Sequence, residues 1–364
     1  MPAEPTTAPV PAEKTFWLLS IDRRVVYLFL LVALTTPLVI QKFTSHLTMK
    51  PAPLPSARKL FDRIEAIAKE RDEAVRPFRD KRRPELEAKL AESDDLKKVT
   101  DPAKRQAALD AAVEKALAEV VRAARLWNKI VILGSEVEPQ TRGELYPQAE
   151  AVIRHLMMRR IPFAVMTLTA PGVGYTRAIP DKVARELGRE YGKDWANFGY
   201  QVGGSLRLQQ MGKNIPDTLK ADVNRTPVEK LPCMQGIKDA GDVPLVIEIS
   251  GLVGTLGSWI NYFASEKSRP DMANGCTAVS VTDSFAYLES KQIVGLLEGI
   301  AGAAAYNEFL AEIREPDQPY PSAGPRNHMT SQTVAHLLIV LFVVLGNLGV
   351  ILASLGRRRK GAGA

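Results

Sequence analysis

Cysteine and histidine are nearly absent, with two Cys and four His in 364 residues. That scarcity excludes a zinc-finger array, a disulfide scaffold and most iron–sulfur arrangements, so neither metal nor cofactor is expected. The G-x-x-x-x-G-K-[ST] phosphate loop is missing, and Gly172-Val173-Gly174 lacks the third glycine of a dinucleotide fingerprint. No G-x-S-x-G nucleophile elbow occurs. A broad basic surface is lacking too. Of the formal net charge of +7, four charges come from Arg357, Arg358, Arg359 and Lys360 in the last eight residues. What remains is too small for a nucleic-acid partner.

Long apolar runs are present, one near each end. Val334 to Leu355 is 22 residues without a formal charge. At about 1.5 Å per residue it exceeds the roughly 30 Å of hydrocarbon that a helix must cross. It predicts a transmembrane helix over 333–355, followed by a basic tail at 356–364. Val25 to Ile40 is a 16-residue run, interrupted late by Thr35, Thr36 and Pro37. Extended to Phe43, it predicts a first transmembrane helix over 25–43. Gln41-Lys42-Phe43-Thr44 offers no small-x-small cleavage site, so the run reads as an uncleaved signal anchor. Arg23 and Arg24 precede the first span and the basic cluster follows the second. The positive-inside rule then predicts both termini, including a flexible tail at 1–24, in the cytoplasm of a bacterial inner membrane. The main domain is expected outside the cytoplasm, beside the lipid bilayer.

Asn347 falls mid-span with Gly346 and Gly349 beside it. An amide in hydrocarbon needs a bonding partner, and small residues let helices approach closely. The pattern predicts a helix contact, either with the chain's own first span or in a homo-oligomer or with other membrane subunits.

Between the spans, residues 55–127 read as a charged helical hairpin or stalk. Leu60, Phe61, Ile64, Ile67, Val75 and Phe78 form one helical stripe, and Leu109, Val113, Leu117, Val120 and Val121 form a second. Over 128–315 the pattern alternates. Strands are expected at 129–134, 163–168, 196–202, 244–250 and 276–281, and helices at 144–160, 180–191, from Ser205, at 258–266 and at 292–312. This predicts an α/β fold, an open and mostly parallel Rossmann-like sheet with helices on both faces, then a linker at 316–332.

Ligands of such sheets bind at the carboxyl ends of the strands. The candidates there are Ser135, Glu136, Gly203, Gly204, Ser205 and Asp283. Gly203 and Gly204 before a helix can leave backbone N–H groups open to an anion, and the same residues serve equally as turns and caps. Glu136 and Asp283 are the carboxylates that acid–base chemistry would pair. His155 reads as a half-buried helical residue. Cys233 and Cys276 are either a disulfide or two buried thiols. Gly295, Gly299 and Gly302 with Ala301 and Ala303–Ala305 give a small-sided helix, suited to tight internal packing or to a subunit interface.

Tyr191-Gly-Lys-Asp-Trp-Ala-Asn-Phe-Gly-Tyr-Gln-Val-Gly-Gly204 and the segment Gln292–Glu308 resemble membrane-anchored bacterial proteins of unassigned function. The resemblance covers most of 129–312 and implies no reaction, ligand or catalytic residue. The chain is therefore expected to be a non-enzymatic structural or accessory subunit of a membrane complex, and oligomeric. A domain binding a small polar or anionic molecule is the alternative, and a hydrolase a third.

Overall fold

The computed structural model describes residues 23–40, 50–124, 126–266, 268–316, 318, 319, 321 and 323–361. The tail expected at 1–24 therefore falls almost wholly outside the described residues, as do positions 41–43 of the first expected span. Two compact units form, one from residues 51–325 and one from the flanking segments.

In chain order the elements are α1 (Arg23–Ile40), α2 (Pro55–Ala91), α3 (Asp94–Lys97), α4 (Pro102–Ala123), β1 (Val131–Glu136) and α5 (Arg142–Met158). There follow β2 (Phe163–Thr167), α6 (Val173–Leu187), β3 (Trp195–Tyr200), α7 (Gly204–Lys213) and α8 (Ile215–Leu219). The last are β4 (Leu245–Ser250), α9 (Val253–Tyr262), β5 (Asp271–Cys276), α10 (Val281–Glu289), β6 (Leu296–Glu298), α11 (Gly299–Glu312) and α12 (Gly324–Gly361).

The six strands form one parallel sheet in the order β3-β2-β1-β4-β5-β6. The chain winds outward from β1 to β3, then returns to β4 on the other side of β1. The order reverses between β1 and β4, which makes that pair the switch point. Alternate residues face opposite ways. Val131 and Leu133 join the core under α5, α6 and α11, while Ile130 and Ile132 join the core that includes Leu208, Leu256 and Trp259 of α7 and α9. The expected open, parallel sheet with helices on both faces is thus present.

Residues 55–127, read as a stalk, divide between two roles. The first half of α2 is a layer of the α/β core: Ala57, Leu60, Phe61, Ile64 and Ile67 are buried in it. Gly295 explains the close approach, since a Cβ there would meet the Leu60 backbone at 2.5 Å. Polar pins hold the same half. Tyr306 donates to His155 Nδ1 (2.7 Å), and His155 donates through Nε2 to Glu65 (2.6 Å). Arg159 grips both Glu65 oxygens, at 2.7 and 2.9 Å. The far half of α2 pairs with α4 through Val75, Val113, Leu117 and Val121.

Four expectations are corrected. Residues 292–298 are not helical: β6 occupies Leu296–Glu298, and α11 starts at Gly299. The strand expected at 276–281 lies at 271–276 instead, because Asp271-Met-Ala-Asn-Gly-Cys, poor in strand formers, is held between two neighbours. Helix α6 starts at Val173, with Pro180 inside it, where burial of Ile179 and Val183 overrides the local breaker. Near α11 the small residues serve the tight internal packing that was one of their two expected roles: Gly302 abuts the Leu297 backbone, and Gly299 abuts Ala278.

The fourth concerns the membrane. Among the described residues one helix, Gly324–Leu352, is long and apolar enough to span, not two. In α1 the apolar stretch covers only Arg24–Thr36, short of the ~20 residues that a bilayer requires. Within the flanking unit Phe29 meets Phe342 edge-on at 6.4 Å. Asn347 is exposed, and its amide donates to the Val343 carbonyl one turn back at 2.9 Å. Gly349 is buried, and nothing lies within 4 Å of a Cβ built on Gly346.

Candidate functional site

The carboxyl ends of β1 and β4 lie side by side at the switch point, with Gly134 opposite Glu248 and Glu136 opposite Ser250. Gly134, Glu136 and Glu248 share one face of the sheet. A side chain on Gly134 would collide with the Glu248 carboxyl, so the glycine supplies the space which that carboxyl occupies. The arrangement is a row of unusual core residues: Gly134 on β1, Glu248 on β4 and Asn274 on β5 are direct neighbours. Asn274 donates to the Glu248 carbonyl (2.9 Å) and accepts from the Ser284 hydroxyl (2.9 Å).

Both glutamates are sealed from water, each 1% exposed. Glu136 accepts the Thr167 hydroxyl at 2.5 Å and the Leu168 N–H at 2.7 Å. Burial still holds its carboxyl above the ordinary range, against the pull of those bonds. Glu248 is worse placed. Thr255 and Trp259 line it without completing a hydrogen bond of good geometry, and the Trp259 indole N–H is unpartnered as well. Burial, and then the charge of Glu136, pushes Glu248 well above the usual carboxylate range. Glu248 is therefore the member of the pair that holds its proton more strongly.

Of the expected site residues, Ser135 points to the opposite face, buried with its hydroxyl unpartnered. Gly203 and Gly204 adopt positive φ (110° and 50°) where β3 turns into α7. Ser205 beside them reaches Ser258 of α9 at 3.4 Å. Asp283 is not at a strand end. It is exposed in the first turn of α10, because β5 stops at Cys276, so it does not pair with Glu136. Glu248 takes that place. Its signal was available: a lone acid inside Leu-Val-Ile-Glu-Ile-Ser, in a strand apolar on both faces. His155 is fully buried rather than half-buried, stacked on Phe61, with burial lowering its pKa so that the ring is neutral. Cys233 and Cys276 are not joined. Cys233 sits by the turn that enters β3, its N–H bonded to the Gly192 carbonyl, whereas Cys276 closes the carboxyl end of β5.

The loop after β1 carries Glu138 and leads into Arg142, but the loops after four other strands are uncharged. Residues 163–176, 198–206, 249–263 and 272–282 contain no Asp, Glu, Lys or Arg. They follow β2, β3, β4 and β5, and their tips are apolar and exposed: Val279 by 90%, Val202 by 65%, Leu206 by 61% and Leu252 by 50%. These four loops thus present apolar tips to solvent, while Glu136 and Glu248 are kept inside. Among the described residues no group of three or more His, Cys, Asp or Glu is placed to hold a metal ion. Comparison with protein-family models, curated proteins and solved structures finds no match to this chain.

Proposed function

We propose that the protein is a membrane-anchored accessory subunit of a protein complex, and that the carboxyl edge of its sheet is the docking face. The observation that carries this is the rim of exposed Val202, Leu206, Leu252 and Val279 on loops without charge. Exposed apolar patches of this kind mark interaction sites in soluble domains. The occupant is a protein surface of matching character, apolar and uncharged. A lipid headgroup surface is the poorer fit, because these loops offer no Lys or Arg to anionic lipid. In this reading α12 is the anchor, the basic cluster at 357–360 stays in the cytoplasm and the α/β unit lies outside it.

The experiment is purification from native membrane in mild detergent, with mass measured on the intact particle. A larger assembly is expected, and Val279→Asp with Leu206→Asp should release it while the fold remains intact. A bare monomer with no co-purifying protein would defeat the reading.

A further inference from the structure

At the opposite, amino edge of the sheet, a cleft of about 60 Å³ lies between the α2–α4 pair and the turns that enter β1, β2 and β3. Arg71, Trp127, Arg160, Lys193 and Asp194 line it. A second hollow of about 50 Å³ shares Arg71 and Arg160 with the first. Three observations mark the cleft as unfinished. The Arg160 guanidinium makes no hydrogen bond or ion pair among the described residues, whereas Lys193 is bonded to Glu119 and Glu190. The Trp127 indole N–H is buried and has no acceptor. Arg160 itself stands at φ 51°, the left-handed position just after a helix that glycine or asparagine usually fills. An arginine persists in such a conformation where the surrounding structure fixes it, and strain of this kind gathers at ligand sites.

Cation crowding agrees. Arg189 is pushed down to about 10, by burial first and then by repulsion from Arg160, with Arg71 adding to it. Asp194 and Glu315 offset this only in part.

We propose that the cleft binds a small oxyanion, a phosphate or carboxylate group, held by the Arg160 and Arg71 guanidinium groups and the Trp127 N–H. Guanidinium forks match the paired oxygens of both groups. The volume admits a group of a few heavy atoms. The proposal does not depend on the docking reading, because the cleft opens at the edge away from the rim.

The test uses the full chain in mild detergent, with inorganic phosphate and succinate as probes and sodium chloride at matched ionic strength as control. Either probe should raise the thermal midpoint beyond the chloride control and change Trp127 fluorescence, a change absent in Trp127→Phe. Arg160→Asn removes the charge but tolerates the left-handed backbone, so the fold is kept. It should weaken binding about tenfold or more, the loss of one charge-assisted contact. A shift for phosphate alone assigns a tetrahedral oxyanion, and one for succinate alone a carboxylate. No shift beyond chloride for either probe, or equal shifts in the wild type and Arg160→Asn, would overturn the proposal.

Discussion

At the carboxyl edge of the sheet the loops after β2, β3, β4 and β5 are free of charge and end in exposed Val and Leu, whereas the amino edge gathers Arg71, Arg160, Arg189 and Lys193. Part of this contrast follows from the architecture. In a parallel α/β sheet every crossover helix ends at the amino edge, where its partial negative charge favours cations. Arg159 and Arg160 follow α5, and Arg189 follows α6. The same logic would put acids at the helix N-termini of the other edge. Glu144 of α5 and Asp283 of α10 follow it, but α6, α7 and α9 have no acid in the first turn, and Glu136 and Glu248 are turned inward. One edge therefore obeys helix electrostatics, and the other departs from it where α6, α7 and α9 begin. That departure makes the carboxyl edge the docking candidate.

Four changes break or sharpen this contrast. The largest effect is expected for Gly134→Val, which drives a side chain into the Glu248 carboxyl. It should cost about 3 kcal/mol in denaturant unfolding. In a Glu248→Ala background most of that cost should vanish; an unchanged cost would mean that the space is not coupled to the carboxyl. Next is Glu65→Gln, which weakens the pin between α2 and the core by about 2 kcal/mol. Despite its partial burial, hydrogen bonds from His155 and Arg159 hold Glu65 at about 2. Its folded pKa is depressed, so its stabilisation is full above pH 4.5 and is lost as pH falls toward 2. The variant's unfolding midpoint should lack that acid limb.

Glu248→Gln probes the other sign. The folded pKa of Glu248 is raised, so its protonated form favours folding at low pH and that contribution declines as pH rises above about 4.5. The variant should unfold at a higher temperature than the wild type near neutral pH, with the gap closing toward pH 4. A gap that does not change with pH would show that the pKa of Glu248 is the same in the folded and unfolded chain. The smallest effect on stability is expected for Val279→Ser, within about 0.5 kcal/mol, because the side chain is 90% exposed. Its effect should fall on particle mass in detergent instead. A loss of stability without a change in mass would argue that the rim packs on its own chain.

Periodicity alone determined the class of this protein. Short β-branched runs such as Lys129-Ile-Val-Ile-Leu-Gly134, alternating with helical stripes, specify a parallel sheet clad by helices, because burial on both faces leaves no other pattern. The uncharged run at 334–355 likewise marks α12 as long enough for a bilayer. Four of the six strands were legible to within a few residues. The exceptions share a cause: β5 and β6 are too poor in strand formers, or too short, to announce themselves, and only their neighbours hold them extended. Glu136 is legible from its place at a strand end, whereas Asp283, the other carboxylate that acid–base chemistry would pair, lies in α10, and Glu248 stands nearer. Which carboxylates meet depends on strand order, and nothing in the linear chain places β4 beside β1. The same holds for the amino-edge cleft. Arg71, Trp127 and Arg160 are far apart in sequence, and only the return of α4 along α2, with the turn after α5, brings them together. Local pattern sets elements because it acts over a few residues; sites are set by long-range contacts, which the tertiary fold alone decides.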